Sequence, residues 1–236
     1  MYKHFIKPLM DFILSLIASF ILVLPIIIIS IAIVIDDPGP VLFKQTRVGK
    51  SKKGEISYFS LYKFRTMKTS APHDQPTHLL SNPNQYITRV GKFLRKMSLD
   101  EIVQIPLNIL TGKMSIIGPR PALWNQGDLV AEREKYGAND VKPGLTGWAQ
   151  INGRDELSIE HKAKLDGEYV NKLNAGWFRG VVMDMKCFFG TFLPVLKADG
   201  IVEGDTKESN KSQEDNIAQL EDNEKEIAKE IKEGDL

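Results

Sequence analysis

Three short stretches of the chain carry residue types suited to phosphate chemistry. Ser98-Leu99-Asp100-Glu101 sets two carboxylates side by side ahead of an apolar run. Ser-x-x-Glu in that setting is the signature of a helix capping box, and this is the plainer reading. A capped helix start also offers unpaired N–H groups and the positive end of a dipole, which attract phosphate, so the two readings coexist. Successive helical residues point about 100° apart, so Asp100 and Glu101 suit separate tasks. One is placed to attack or assist, the other to hold a divalent cation. Gly118-Pro119-Arg120-Pro121 fixes the backbone on both sides of an arginine, which lowers the entropy cost of aiming a guanidinium at a phosphate. Taken alone it also fits a rigid turn with a surface arginine. The run from Gly144 to Arg154 holds Gly144, Gly147 and Gly153 for close backbone approach, with Trp148, Gln150, Asn152 and Arg154 for stacking, amide and cationic contacts.

Other chemistries are excluded. The glycine spacing is not the dinucleotide fingerprint. Gly49-Lys50-Ser51 ends like a phosphate loop, but Lys44 stands where the first glycine belongs. The four histidines are scattered without metal-ligand spacing. A single cysteine, Cys187, excludes an internal disulfide and agrees with a reducing compartment.

These stretches need elements to position them. Val41–Phe43 and Tyr58–Phe64 read as strands around a Gly/Lys-rich turn. Helices are expected at Val90–Lys96, Leu99–Leu110, Asn125–Tyr136 and Ile159–Leu173, with a proline-containing surface loop at Ser70–Asn84. Trp177–Leu196 fits a core helix, with an interfacial helix as its rival because aromatics accompany Arg179 and Lys186. Without repeats or low-complexity linkers the body reads as one α+β unit.

The composition, 42% hydrophobic and 26% charged, is that of a folded protein. A net charge of +1 hides an asymmetry: residues 201–236 carry twelve acidic and five basic side chains, so the tail is −7 and the rest +8. A basic body suits anionic lipid, nucleotide or phosphate partners without choosing among them. From Phe12 to Ile35 the chain has no charge. Such a helix reaches roughly 36 Å, enough for a bilayer core, is too long for a signal-peptide apolar region, and is expected to be retained. One straight span is the simple reading. Pro25 near its middle and basic residues on both flanks (Lys3 and Lys7 before, Lys44, Arg47 and Lys50 after) argue instead for a re-entrant helix with both ends on one side.

In this order the pieces resemble the bacterial sugar transferases, the monotopic polyprenyl-phosphate phosphoglycosyl transferases. The matching residues are Lys7 and Asp11 before the proline-containing helix, Pro40 to Gln45, Arg47-Val48-Gly49, Lys63 to Met67, Ser98 to Glu101, Gly112 to Ser115, Ile117 to Pro121, Pro143 to Arg154, Asp166 and Tyr169. The resemblance implies a membrane-embedded helix over residues 1–36, a catalytic domain over 37–202 facing the cytoplasm at the bacterial inner membrane, and an acidic tail over 203–236. It implies a UDP-sugar donor, a polyprenyl (undecaprenyl) phosphate acceptor, Mg²⁺ as cofactor, inner-membrane lipid as partner and no nucleic acid. By position, Asp100 is the nucleophile that carries the phosphosugar, and Glu101 is the metal ligand. Substrate contacts fall to Lys63, Arg65, Arg95, Arg120, Gln150, Asn152, Arg154, Asp166 and Tyr169, and the membrane break to Pro25. The sequence departs from the family in having Leu24 before Pro25 rather than serine. Val103 stands where a proline usually follows the Asp-Glu pair, and Pro106 comes later, which predicts a kink near Ile102. Direct transfer with a carboxylate as base, hydrolysis of a nucleotide sugar, and a non-catalytic basic membrane scaffold are the competing readings.

Overall fold

The computed structural model describes residues 2–52, 54–71, 83–153 and 157–196. The acidic tail, Arg154 and residues 72–82 of the proline-containing loop lie outside them.

A single helix, α1 (Lys7–Asp36), follows a π-helical turn at Tyr2–Ile6. Helical structure runs unbroken through Pro25, so the proline does not divide α1 into two helices. The stretch Tyr2–Asp36 is long and apolar enough to cross a membrane. The polar groups inside it are satisfied within the helix: Ser15, Ser19 and Ser30 each donate to a carbonyl three or four residues earlier. That is what a hydrocarbon environment requires. A stripe near each end of α1 nevertheless faces protein. Lys7, Asp11, Ser15 and Ile33 are buried, while Ile26 and Ile29 pack on Phe64, Leu94 and Val103. The opposite stripe, including Phe20, Ile21, Leu24 and Ile35, is exposed. Both ends of α1 therefore rest on the same body.

The body holds two small sheets. Strands β1 (Leu42–Val48) and β2 (Tyr58–Phe64) form an antiparallel ribbon, with Phe43 opposite Lys63 and Arg47 opposite Phe59. Strands β3 (Ser115–Ile117) and β4 (Gly144–Thr146) pair in parallel. Helix α2 (Arg89–Lys96) starts at Thr88, whose hydroxyl accepts from the Gly91 N–H. Helices α3 (Gly127–Glu134), α4 (Trp148–Ile151), α5 (Ile159–Asn174) and α6 (Trp177–Leu196) complete the order. This is the mixed α+β architecture expected, and the core of α5 and α6 closes over Tyr2 and Ile117.

Two local expectations are corrected. Leu99–Leu110 is not one α-helix but a 3-10 turn (Leu99–Glu101) followed by a π-helical turn (Ile105–Ile109). Pro106 has no N–H to give to the Ile102 carbonyl, and the break falls where the displaced proline pointed. Nor is Ser98 a helix cap: it sits in the left-handed region at φ 54° and makes no side-chain cap bond. The phosphate site expected at a capped helix start is therefore not formed there. Helix α6 fills the core role on one face and leaves apolar side chains exposed on another. Met183 and Cys187 enter the core, while Trp177, Phe178, Met185 and Phe189 are exposed.

Candidate active site

Residues of one side of the β1–β2 ribbon meet the Asp-Glu turn and the Arg120 loop at a small open cleft. Alternation along a strand puts Gln45 and Arg47 of β1 on the same face as Leu61 and Lys63 of β2. The left-handed backbone at Ser98 turns the chain out of α2 and brings the next carboxylates toward Lys63. Lys63 Nζ lies 2.7 Å from Glu101 Oε1 and 3.8 Å from Asp100 Oδ2. The two carboxylates, expected to diverge, nevertheless share one ammonium, because the Lys63 side chain reaches both.

Arg120 Nη2 stands 3.5 Å from Glu101 Oε1, a long contact. Its loop is seated by close backbone packing: a Cβ at Gly147 would fall 2.0 Å from the Gly118 carbonyl oxygen, and one at Gly144 would fall 2.1 Å from the Gly118 nitrogen. Gly144 and Gly147 therefore admit the backbone of Gly118. Arg47, Gln104, Pro121, Gly144 and Leu145 complete the lining.

Burial works against ionisation of Glu101, but Arg120, then Lys63, and more weakly Arg47 outweigh it and hold its pKa down to about 2. Three cations thus surround two carboxylates. The surplus positive charge favours an anionic ligand such as a diphosphate.

The model of the bacterial sugar transferase family matches residues 2–198. The chain belongs to the bacterial sugar transferase family. Over 177 residues, 75% of this chain and 80% of the relative, it is 41% identical to the uncharacterized sugar transferase EpsL of Bacillus subtilis (strain 168). It is 38% identical over 175 residues to the UDP-glucose:undecaprenyl-phosphate glucose-1-phosphate transferase of Escherichia coli (strain K12), covering 69% of this chain and 35% of that protein. Identity to the exopolysaccharide production protein PSS of Rhizobium leguminosarum bv. phaseoli is 34% over 196 residues, covering 81% and 95%. The chain thus spans most of two of these relatives and about a third of the Escherichia coli one.

Of the residues singled out from the transferase sequence, the fold brings Asp100, Glu101, Lys63 and Arg120 together. Gln150 reaches the edge of the cleft: its Nε2 donates to the carbonyl of Leu145, while its buried Oε1 has no hydrogen-bond partner among the described residues. The others are engaged elsewhere. Arg65 is buried and pairs with Asp37 at the end of α1, Nη1 to Oδ2 at 2.8 Å. Arg95 Nε donates to Thr66 Oγ1. Asn152 Nδ2 donates to the Trp148 carbonyl.

Asp166 and Tyr169, expected at the substrate, are interior residues of α5. Asp166 pairs with Arg133 at 2.6 Å, and Tyr169 donates to Asp184 Oδ1 and lies 3.0 Å from the Ile117 carbonyl oxygen. Burial pulls the Asp166 carboxyl upward against the opposing pull of Arg133. Arg154 lies outside the described residues. Sequence reasoning missed Arg47 and Gln104. For Arg47 a signal existed, since its two-residue spacing from Gln45 on a strand dictates a shared face.

Among the described residues no three or more His, Cys, Asp and Glu side chains gather as a metal cage. Magnesium does not need one, because it commonly takes one or two carboxylates and fills its octahedron with water and substrate phosphate oxygens. The Asp100–Glu101 pair, with Glu101 lining the cleft, fits that donor set.

Proposed function

We propose that this transferase moves a sugar 1-phosphate from a UDP-sugar to undecaprenyl phosphate, releasing UMP, through a phosphosugar carried on Asp100. The observation that carries the reading is the Asp100–Glu101–Lys63–Arg120 cluster, in which adjacent carboxylates face surplus cations. A carboxylate oxygen of Asp100 attacks the β-phosphorus, and the bond from that phosphorus to the oxygen bridging the α-phosphate breaks. UMP departs with the electron pair. A phosphate oxygen of the lipid carrier then attacks the same phosphorus and frees the Asp100 carboxylate. Splitting the exchange in this way lets two bulky substrates use one phosphate pocket in turn.

Lys63 and Arg120 hold the transferring phosphoryl group and offset its charge, the main contribution a protein makes to such chemistry. Glu101, with Asp100 beside it, would hold Mg²⁺, which supplies charge neutralisation at the diphosphate. The cleft is small beside a nucleotide sugar, which suits it to the diphosphate rather than to the whole donor. The names of the Escherichia coli and other glucose-1-phosphate transferases support the acceptor and a UDP-linked hexose.

The placement of α1 supports a re-entrant attachment to the inner membrane with the body in the cytoplasm. A helix whose two ends rest on one body has no route for sending one end across a bilayer alone. The lone cysteine, Cys187, is buried, so Lys3→Cys labelled in spheroplasts gives a clean topology readout; modification from outside would overturn this placement.

The test of activity is a panel of radiolabelled UDP-hexoses and UDP-N-acetylhexosamines with undecaprenyl phosphate and Mg²⁺. UMP and a lipid-linked product are expected, and both should vanish with EDTA. Without the lipid carrier, label should remain on Asp100 in peptide mass spectra. Turnover without that adduct, even after rapid quench, would favour direct attack. Absence of UMP from every donor would overturn the function.

A further inference from the structure

We propose that Arg47, braced by Gln45, is a positioning residue that holds the 118–122 segment so that Arg120 meets the donor phosphate. The inference rests on the transfer reading above and extends it to a residue whose side chain grips the backbone of the Arg120 segment. Arg47 Nε and Nη2 lie 3.1 and 2.7 Å from Gln45 Oε1, and Nη1 lies 3.0 Å from the carbonyl oxygen of Pro121. Beside this contact the Val48 N–H donates to the Ala122 carbonyl at 2.9 Å.

The other end of the segment is stitched to the second sheet. Gly118 N–H donates to the Thr146 carbonyl at 2.8 Å, and Gly144 N–H donates to the Pro119 carbonyl at 2.9 Å. Arg120 therefore sits between two anchorages, one on each sheet, and the segment presents it to the cleft beside Pro121. Its side chain is 39% exposed, and its contact to Glu101 is long at 3.5 Å. The two backbone anchorages fix where that side chain begins, whatever contacts its guanidinium makes. Pro119 and Pro121 transmit the anchoring because their rings restrict the backbone on both sides of Arg120.

On the ribbon side the Pro121 carbonyl is gripped by a side chain, and a guanidinium is suited to this task. Its planar fork bonds Gln45 and Pro121 at once, which a single-point ammonium cannot reproduce. Arg47 also lines the cleft, so direct contact with substrate is the competing role, and the experiment must separate the two.

Steady-state kinetics of the full chain in nanodiscs, with UDP-sugar and undecaprenyl phosphate, would be compared for Arg47→Ala, Arg47→Lys and Gln45→Leu. Each is measured alone and combined with Arg120→Ala. Arg47→Ala should lower kcat/KM for the donor about 10- to 100-fold, the range of a lost charged hydrogen bond. In the Arg120→Ala background the same change should cost less than about twofold, because the residue through which it acts is gone. Arg47→Lys should stay near Arg47→Ala, and Gln45→Leu, which removes only the brace, should fall between it and the unmodified chain. Equal losses in both backgrounds would overturn the proposal and make Arg47 a direct substrate contact; so would full activity of Arg47→Ala.

Hydrogen exchange supplies a readout that needs no turnover. The peptide covering 118–122 should exchange faster in Arg47→Ala and Gln45→Leu than in the unmodified chain, with α5 peptides unchanged. Unaltered exchange at 118–122 would overturn the positioning role. Failure of the unmodified chain to release UMP would instead overturn the transfer reading. Should Arg47→Ala fail to fold, Gln45→Leu carries both measurements.

Discussion

Among the described residues, two places hold a lysine between two carboxylates, and they are built for opposite ends. At the base of α1, Lys7 Nζ lies 3.1 Å from Asp184 and 3.8 Å from Asp11. In the cleft, Lys63 Nζ lies 2.7 Å from Glu101 and 3.8 Å from Asp100. The difference is in the neighbours. Asp184 also accepts from the hydroxyls of Tyr2 and Tyr169, and Asp11 accepts from Ser115 Oγ and the Ile116 N–H. Neutral donors saturate that trio, all three of whose charged members are buried. Around Lys63 the added partners are arginines, so the cluster keeps a positive surplus and an open side. The same three charges become a structural lock when surrounded by neutral donors, and an anion receptor when surrounded by cations.

Substitutions that exchange these fates test the comparison. The largest effect should come from Asp100→Asn, which keeps the shape but removes the attacking carboxylate. UMP release should fall at least about 10³-fold, with the thermal midpoint in detergent nearly unchanged; retained activity would show that Asp100 is not the carrier.

At the other trio the balance reverses. Asp184→Leu strips Lys7 of its nearer buried partner and should cost about 3–5 kcal/mol of stability in denaturant titration. A loss below about 1 kcal/mol would show that the neutral donors, not the charges, hold the lock.

A pH experiment sharpens the contrast further. The Glu101 pKa is depressed from 4.5 to about 2. The stabilisation linked to it is therefore complete above about pH 4.5 and is lost as pH falls toward 2. Activity between pH 5 and 8 should show no Glu101 titration. Lys63→Met should move the acid unfolding transition to higher pH, and an unmoved transition would contradict the coupling. Outside both trios, Thr88→Ala removes only the cap of α2 and should cost about 1 kcal/mol, measured by the same denaturation.

The elements were legible where local pattern decides them. Helices α2, α3, α5 and α6 and strand β2 lie close to where periodicity and turn residues put them, because each buries one face at a regular spacing. Leu99–Leu110 misled because its apolar spacing is helical while Pro106 forbids the continuous bonding that spacing suggests. The ordered motifs name Asp100, Glu101, Lys63 and Arg120, which the fold gathers at one cleft. Asp166 and Tyr169 lie apart from that cluster for a physical reason. A polar residue named by a motif satisfies itself with whatever the fold supplies, and their partners Arg133 and Asp184 are 33 and 15 residues away. Arg65 likewise finds Asp37 rather than a phosphate. Pairings over such separations are set by packing, which a linear pattern does not encode.

The bond between Tyr2 and Asp184 joins positions 182 residues apart, and this bears on how the protein is made. The apolar helix is synthesised before the body, and a partner that fastens its base comes only with α6. Contacts so distant in the chain form slowly, because a large loop must close before they do. Until α6 is made, the base of the helix lacks its Asp184 partner. A chain halted before α6 would sit in the bilayer without its lock, exposed to quality-control proteases.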